Sequence, residues 1–269
     1  MGTIVSFHAH PDDESIGSGG TLARAAAAGH RVVLVFATRG ELGEPVPGVL
    51  APGEQLPVRR SAECYESAAA LGAKRVEFLG YADSGMKGEP SNDAPYSFWQ
   101  ADVEHAARRL AVILDEEEPD VLTIYDDNGG YGHPDHIQVH RVGKRAAELS
   151  AVPVVAQGTI NRDWMTRGLR GMAESGQLPE GWKAPTVEAP KFGKPESEIT
   201  HRVDAVDFVD QKKASMRAHA SQMAPDHFLL AMPDPMFAMG MGVEFYIVDP
   251  APNPAAAPDV FEELFTPLR

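Results

Sequence analysis

Seven consecutive residues, His8-Ala9-His10-Pro11-Asp12-Asp13-Glu14, bring two imidazoles and three carboxylates together directly after an apolar run. A second cluster, Tyr131-Gly132-His133-Pro134-Asp135-His136, comes more than a hundred residues later and also follows an apolar run. Asp, Glu and His are the donors of a borderline divalent cation, and an open catalytic site takes three protein donors and leaves a position for water. The first cluster supplies candidates for two ligands and a base, and Pro11 stiffens the turn that aims them. The two clusters read as halves of one metal site. The plainer reading makes Asp12-Asp13-Glu14 a helix cap and puts the histidine in the core. A cap needs one short polar residue and leaves the others unexplained.

The elements that must position these residues follow from hydrophobic pattern. Strands are predicted over 3–8, 31–38, 74–79 and 120–125, and helices over 21–28, 58–71, 98–117 and 136–149. Residues 39–57, with four Gly and four Pro, read as a long loop. The alternation β-α-β-α-β-α-β-α predicts an α/β fold: a Rossmann-like parallel sheet with helices on both faces. With strand order 3-2-1-4, the C-terminal ends of the first and fourth strands flank the switch point where such sheets bind ligands. Both clusters follow those two strands. The second half reads less clearly: a strand over 152–160, helices over 164–174 and 206–223, a strand ending near Val203 and a last strand over 244–248. Residues 177–198 read as an irregular excursion, 250–258 as an Ala/Pro linker, and Met232–Met241 as a flexible cover or interface. The expectation is one domain: a core over 1–150, an elaboration over 151–250 that covers the site, and a tail over 251–269.

Composition narrows the function. At 269 residues and 43% hydrophobic content, the chain can bury a large core. Lys+Arg 24 against Asp+Glu 39 gives a formal charge of −15, which repels nucleic acid and anionic lipid. No apolar run reaches the length of a membrane span, and no leader precedes the first strand, which reads as cytoplasmic. The single Cys64 lies in a helical pattern and reads as buried and inert. A small-molecule substrate is expected, and a homo-oligomer is left open.

With both clusters in hand, the chain resembles the zinc-dependent de-N-acetylases of the PIG-L/LmbE type, and within them the branch of mycothiol metabolism. Asp83-Ser84-Gly85-Met86, Tyr125-Asp126-Asp127-Asn128 and Arg217-Ala218-His219-Ala220-Ser221-Gln222 add to the match. The resemblance covers residues 3–145 well and 203–222 in part. It implies that His10, Asp13 and His136 bind Zn2+ (or Fe2+) and that Asp12 is the general base and acid. It further implies that His133 stabilises charge on the scissile carbonyl, with Tyr131 near the oxyanion, and that Arg60 and Asp83 contact the substrate. The reaction implied is hydrolysis of the acetamide of an N-acetylglucosamine-type conjugate by zinc-activated water. Alternatives are an amidase of mycothiol-like S-conjugates or of a specialised-metabolite amide. An esterase or phosphatase on the same scaffold and a non-catalytic Rossmann-like module are further alternatives. Gly17 falls where the mycothiol enzymes carry Ser or Lys at a position tied to substrate choice.

The residues themselves agree with that chemistry. Two His and one carboxylate leave room for a water of lowered pKa, and Asp12 can face that water. His133 would help most as a cation, unless it merely neighbours a helix cap. Asp135 reads as a partner of a ligand rather than a ligand. His140 reads as helix packing, His8 as pointing into the sheet or supporting the site, and Arg60 alternatively as a partner of Glu63. His219 and Gln222, on one helix face, are candidates to line the crevice.

Overall fold

Apolar side chains on both faces of Thr3–His8 (β1) leave neither side for water, and all but Thr3 are buried. Along β1, Ile4 packs into one core layer while Val5 and Phe7 pack into the other, the period-two alternation of a strand. The chain is described here from a computed structural model covering residues 1–174, 192–248, 250 and 257–268. After β1 come the short helix Asp13–Gly17 (α1), Gly19–Ala27 (α2), Arg31–Phe36 (β2), Leu56–Leu71 (α3), Arg75–Phe78 (β3), Val103–Glu117 (α4), Val121–Tyr125 (β4) and Pro134–Leu149 (α5). The second half adds Val154–Thr159 (β5), Arg162–Glu174 (α6), His201–Asp204 (β6), Val209–Ala218 (α7), Asp234–Met241 (α8), Val243–Ile247 (β7), Asp259–Leu264 (α9) and Thr266–Pro267 (β8).

The expected order 3-2-1-4 is present, and the sheet continues to eight strands as β3-β2-β1-β4-β5-β7-β6-β8. β1 to β5 are parallel; β7, β6 and β8 join antiparallel. One core layer places Leu22, Cys64 and Leu71 of α2 and α3 against Val32 and Leu34. The other places Leu110 and Leu114 of α4 and Val139 and Val142 of α5 against Val33 and Val35. The helices thus cover both faces, as the strand pattern requires. Cys64 is wholly buried, and burial pushes its thiol well above the usual range, so it is inert.

Four expectations change. The helix read over 98–117 begins at Val103, because the Asp102 side chain accepts the His105 N–H and caps it there; Phe98–Gln100 is a separate 3-10 turn. The helix read over 206–223 is a 3-10 turn at Val206–Phe208 followed by α7, which stops at Ala218. The methionine-rich run forms α8, whose Phe237 packs with Met216 and Met223 into a third cluster that also receives Ile16. The tail is structural: Val260, Phe261, Leu264 and Phe265 enter the first core layer, and β8 pairs with β6. Of the irregular excursion, residues 177–191 lie outside the described residues, as do 251–256 of the linker. Lys194 bridges to Asn161, and Glu196–Glu198 is a 3-10 turn.

Candidate metal centre and active site

β1 ends at His8, and the next four residues turn across the C-terminal edge of the sheet into α1. Asp12 caps α1 with a left-handed backbone, φ 92° and ψ −27°, which is uncommon for a residue other than glycine. The adjacent carboxylates consequently serve different partners. Asp12 Oδ2 lies 3.1 Å from the Arg60 guanidinium. Asp13 Oδ2 lies 3.4 Å from His10 Nδ1, and its Oδ1 lies 3.3 Å from His136 Nε2. Each histidine thus meets a different Asp13 oxygen, at about the 3.4 Å that separates neighbouring donors around a cation held at roughly 2.0–2.2 Å in a tetrahedral shell. Among the described residues, the groupings whose donor atoms all lie within 4.8 Å of one another are His10, His133 and His136, and His10, Asp83 and Asp135.

The second half of the site hangs from the turn between β4 and α5. Asp126, wholly buried, accepts the N–H groups of Asn128 and Gly130 and the Thr159 hydroxyl. Pro134 opens α5 at a position where its missing N–H costs nothing. His133 is the cap itself: its Nδ1 accepts the Asp135 N–H at 3.1 Å. His136, one turn further, stacks on the Tyr125 ring at 4.4 Å. The Tyr125 hydroxyl accepts the Ala9 N–H, meets His8 Nδ1 at 3.1 Å and bonds to Asp13. Tyr131, 42% exposed, stands at the mouth with its hydroxyl 3.4 Å from His136 Nε2.

Asp135 lies against the candidate ligand His10. Its Oδ2 lies 3.1 Å from His10 Nε2 and also accepts the Ser84 N–H, while its Oδ1 accepts the Ser84 hydroxyl. Both of its oxygens are therefore occupied. Asp83 stands 3.5 Å from the same nitrogen and accepts the N–H groups of Leu42 and Gly85. Burial disfavours charge on His10, but Asp13, Asp135 and Asp83 outweigh it and raise its pKa well above the usual value. Burial raises Asp12 to about 6, against the lowering effect of Arg60. Burial, with His10 and His136 beside it, lowers His133 to about 4. His133 is thus neutral near pH 7, not the cation expected. Since Nδ1 accepts a bond, the hydrogen-bond network assigns the proton to Nε2.

The remaining candidates settle into place. Arg60 does not pair with Glu63. Buried to 4% exposure, it donates to the carbonyls of Pro11 and Gly40 as well as to Asp12. Glu63 instead accepts the N–H and hydroxyl of Ser221. His140 Nδ1 bonds the Tyr125 carbonyl at 3.0 Å and packs the helix. His8 lies in the sheet, on Ser6 and Tyr125. His219 does not line the crevice: fully buried, its Nε2 lies 2.5 Å from Glu14 Oε1. Gln222 is half-buried beside Gly43, where an added Cβ would fall 2.6 Å from its Oε1. Glu14, Tyr125 and Asp126 have structural parts at the site that spacing did not single out. Their signal was only that they sit inside the motifs.

Comparison with known proteins assigns the chain. Residues 5–147 match the model of the family described as "PIG-L: GlcNAc-PI de-N-acetylase". A 1D-myo-inositol 2-acetamido-2-deoxy-alpha-D-glucopyranoside deacetylase of Acidothermus cellulolyticus is 41% identical over 91% of this chain and 88% of its own length. Among solved structures, N,N'-diacetylchitobiose deacetylase of Pyrococcus horikoshii superposes with a TM-score of 0.60 at 22% identity, over 92% of this chain and 84% of that one. A 4-carboxy-2-hydroxymuconate hydratase of Pseudomonas putida superposes at 0.58 and 19% identity, over 94% and 98%. That hydratase shows that the fold alone does not fix the reaction. The family match and the full-length relative decide it: this chain belongs to the PIG-L family of de-N-acetylases and is an enzyme of amide hydrolysis.

Proposed function

We propose that His10, Asp13 and His136 hold a divalent cation, Zn2+ or Fe2+, and that the enzyme removes the acetyl group from an N-acetylglucosamine-type sugar conjugate. The observation that carries the reading is the split of Asp13 between the two histidines, at 3.4 and 3.3 Å, while Asp12 turns to Arg60. The substrate class follows from the activity named for the full-length relative. A cation bound there supplies a Lewis acid and makes a water acidic enough to attack near pH 7.

The chain's own groups do the rest. Asp12, with a carboxyl raised to about 6, takes a proton from the attacking water and returns it to the leaving amine. His133, neutral with its proton on Nε2, donates to the carbonyl oxygen as charge develops. Tyr131 is a second donor, because burial raises its pKa and keeps the hydroxyl protonated. Arg60 belongs with the base rather than with the sugar, since its bonds run to Pro11, Gly40 and Asp12. Asp83 holds the turn at Leu42 at the crevice edge. Residues 1–150 and 151–250 act as one catalytic unit.

An amidase acting on a larger conjugate is the second reading, and Gly17 favours it. Gly17 lies one helical turn after Asp13, and a Cβ added there would meet nothing within 4 Å. A phosphate ester is disfavoured, because the buried Arg60 cation is already engaged. No helix among the described residues is long and apolar enough to cross a membrane.

The test couples metal content to acetate release from N-acetylglucosamine and its inositol glycoside, and to release of the free amine from an S-conjugate amide. About one metal per chain with acetate release is expected; release unaffected by exhaustive chelation would sink the reading. Asp12→Asn should keep the metal and lose turnover by at least about a hundredfold. His136→Ala should lose the metal, read by elemental analysis.

A further inference from the structure

Glu14 and His219 are both fully buried, and 205 positions separate them in the chain. One Glu14 oxygen, Oε1, faces His219 Nε2 at 2.5 Å and accepts the Ser67 hydroxyl. Ser67 in turn meets the Ser215 hydroxyl of α7 at 2.6 Å. The other oxygen, Oε2, accepts the backbone N–H of Asp12 at 3.0 Å. Asp12 is the left-handed residue of the turn, and such a conformation persists only where its surroundings over-determine it. The surroundings here are few and specific. Glu14 takes the Asp12 N–H, Arg60 takes the Pro11 carbonyl, and the Asp12 carbonyl accepts the N–H groups of Ser15 and Ile16.

We infer that Glu14, charge-balanced by His219, is the positioning residue for Asp12: it locks the inverted backbone that aims the base away from Asp13. The inference rests on Asp12 being the base. A lone buried carboxylate is costly unless paired. His219, at the carbonyl end of α7 where positive charge is favoured, supplies the pairing. Among the described residues His219 Nδ1 has no hydrogen-bond partner, and the polar contact of the ring runs to Glu14. His219 thereby acts on the chemistry through Glu14. Ser221 fastens the Arg217–Gln222 segment to Glu63 of α3, one turn after Arg60.

The experiment separates positioning from stability. The double variant Glu14→Met/His219→Leu removes both charges together, which cores tolerate better than losing one partner, but leaves the Asp12 N–H without its acceptor. The expected result is metal content and KM as in the wild type, with kcat lower by roughly ten- to a hundredfold. Glu14→Gln, which keeps an acceptor for the Asp12 N–H, should restore most of that loss. Placed in an Asp12→Asn background, the double variant should lower the residual rate no further, because it acts through Asp12. Wild-type kcat in the double variant would overturn the inference. So would an equal fold-loss in the Asp12→Asn background. Wild-type turnover in Asp12→Asn alone would instead overturn the role of the base. If the double variant does not fold, Glu14→Leu/His219→Gln compared with Glu14→Gln carries the test, with kcat lower by about tenfold than in Glu14→Gln expected at unchanged metal content and equal kcat overturning it.

Discussion

Asp12 and Asp13 are chemically identical neighbours with opposite proton affinities. Burial raises the first to about 6, with Arg60 opposing. Burial acts on the second as well, but His136 and His10 overcome it and hold the carboxyl well below the usual range. A base must be ionised to act, so kcat/KM rises with pH through an acid limb at about 6, or lower once a cation sits beside it. Arg60→Gln removes the largest influence that opposes burial. It should move that limb to higher pH, whereas Arg60→Lys, which keeps the charge, should move it less. A pH profile of kcat/KM from about pH 5 to pH 8 reads the shift; an unmoved limb in Arg60→Gln would mean that another group titrates. The residue types at the site were legible because few other roles need two imidazoles and three carboxylates in seven positions. The protonation of His133 was not. It depends on burial and on a cap bond to the Asp135 N–H, and neither is written in the spacing.

The turn between β4 and α5 carries half of the site, and its backbone leaves no room for a side chain at Gly129. With φ +61°, a Cβ there would lie 2.4 Å from His136 Cβ and 2.8 Å from the Ile137 nitrogen. Gly129→Ala should displace His136 and weaken metal affinity by about tenfold to a hundredfold, while costing about 1–3 kcal/mol of stability from overpacking. Chelator competition reads the affinity and denaturant unfolding reads the stability; unchanged affinity would show that His136 is not held through this turn. At this scale the first four strands and their helices were readable, because apolar runs bounded by Gly and Pro mark buried strands. The boundaries of α4 and α7 were not. A side-chain cap at Asp102 sets the first, and the turn that delivers His219 to Glu14 ends the second.

The whole molecule closes through its C-terminal residues. Val260, Phe261, Leu264 and Phe265 lie in the same core layer as Ile4 and Leu22. Burying such side chains contributes roughly 1.5–3 kcal/mol apiece, a sum comparable with the ~5–15 kcal/mol that holds a typical domain folded. Truncation after Ala257 should therefore abolish the cooperative thermal transition or lower Tm by more than about 10 °C. A wild-type melting curve would show that the tail adds nothing. By itself the sequence determined the donor types, the parallel strands and the edge of the sheet where the two clusters meet, because local spacing and hydrophobic period encode them. Only the tertiary structure decided that Asp13 spans both histidines, that Asp12 leans on Arg60, that His219 stands behind Glu14 and that the tail completes the core. The last two of those contacts join segments more than 200 residues apart, and a contact between distant segments leaves no period in the chain.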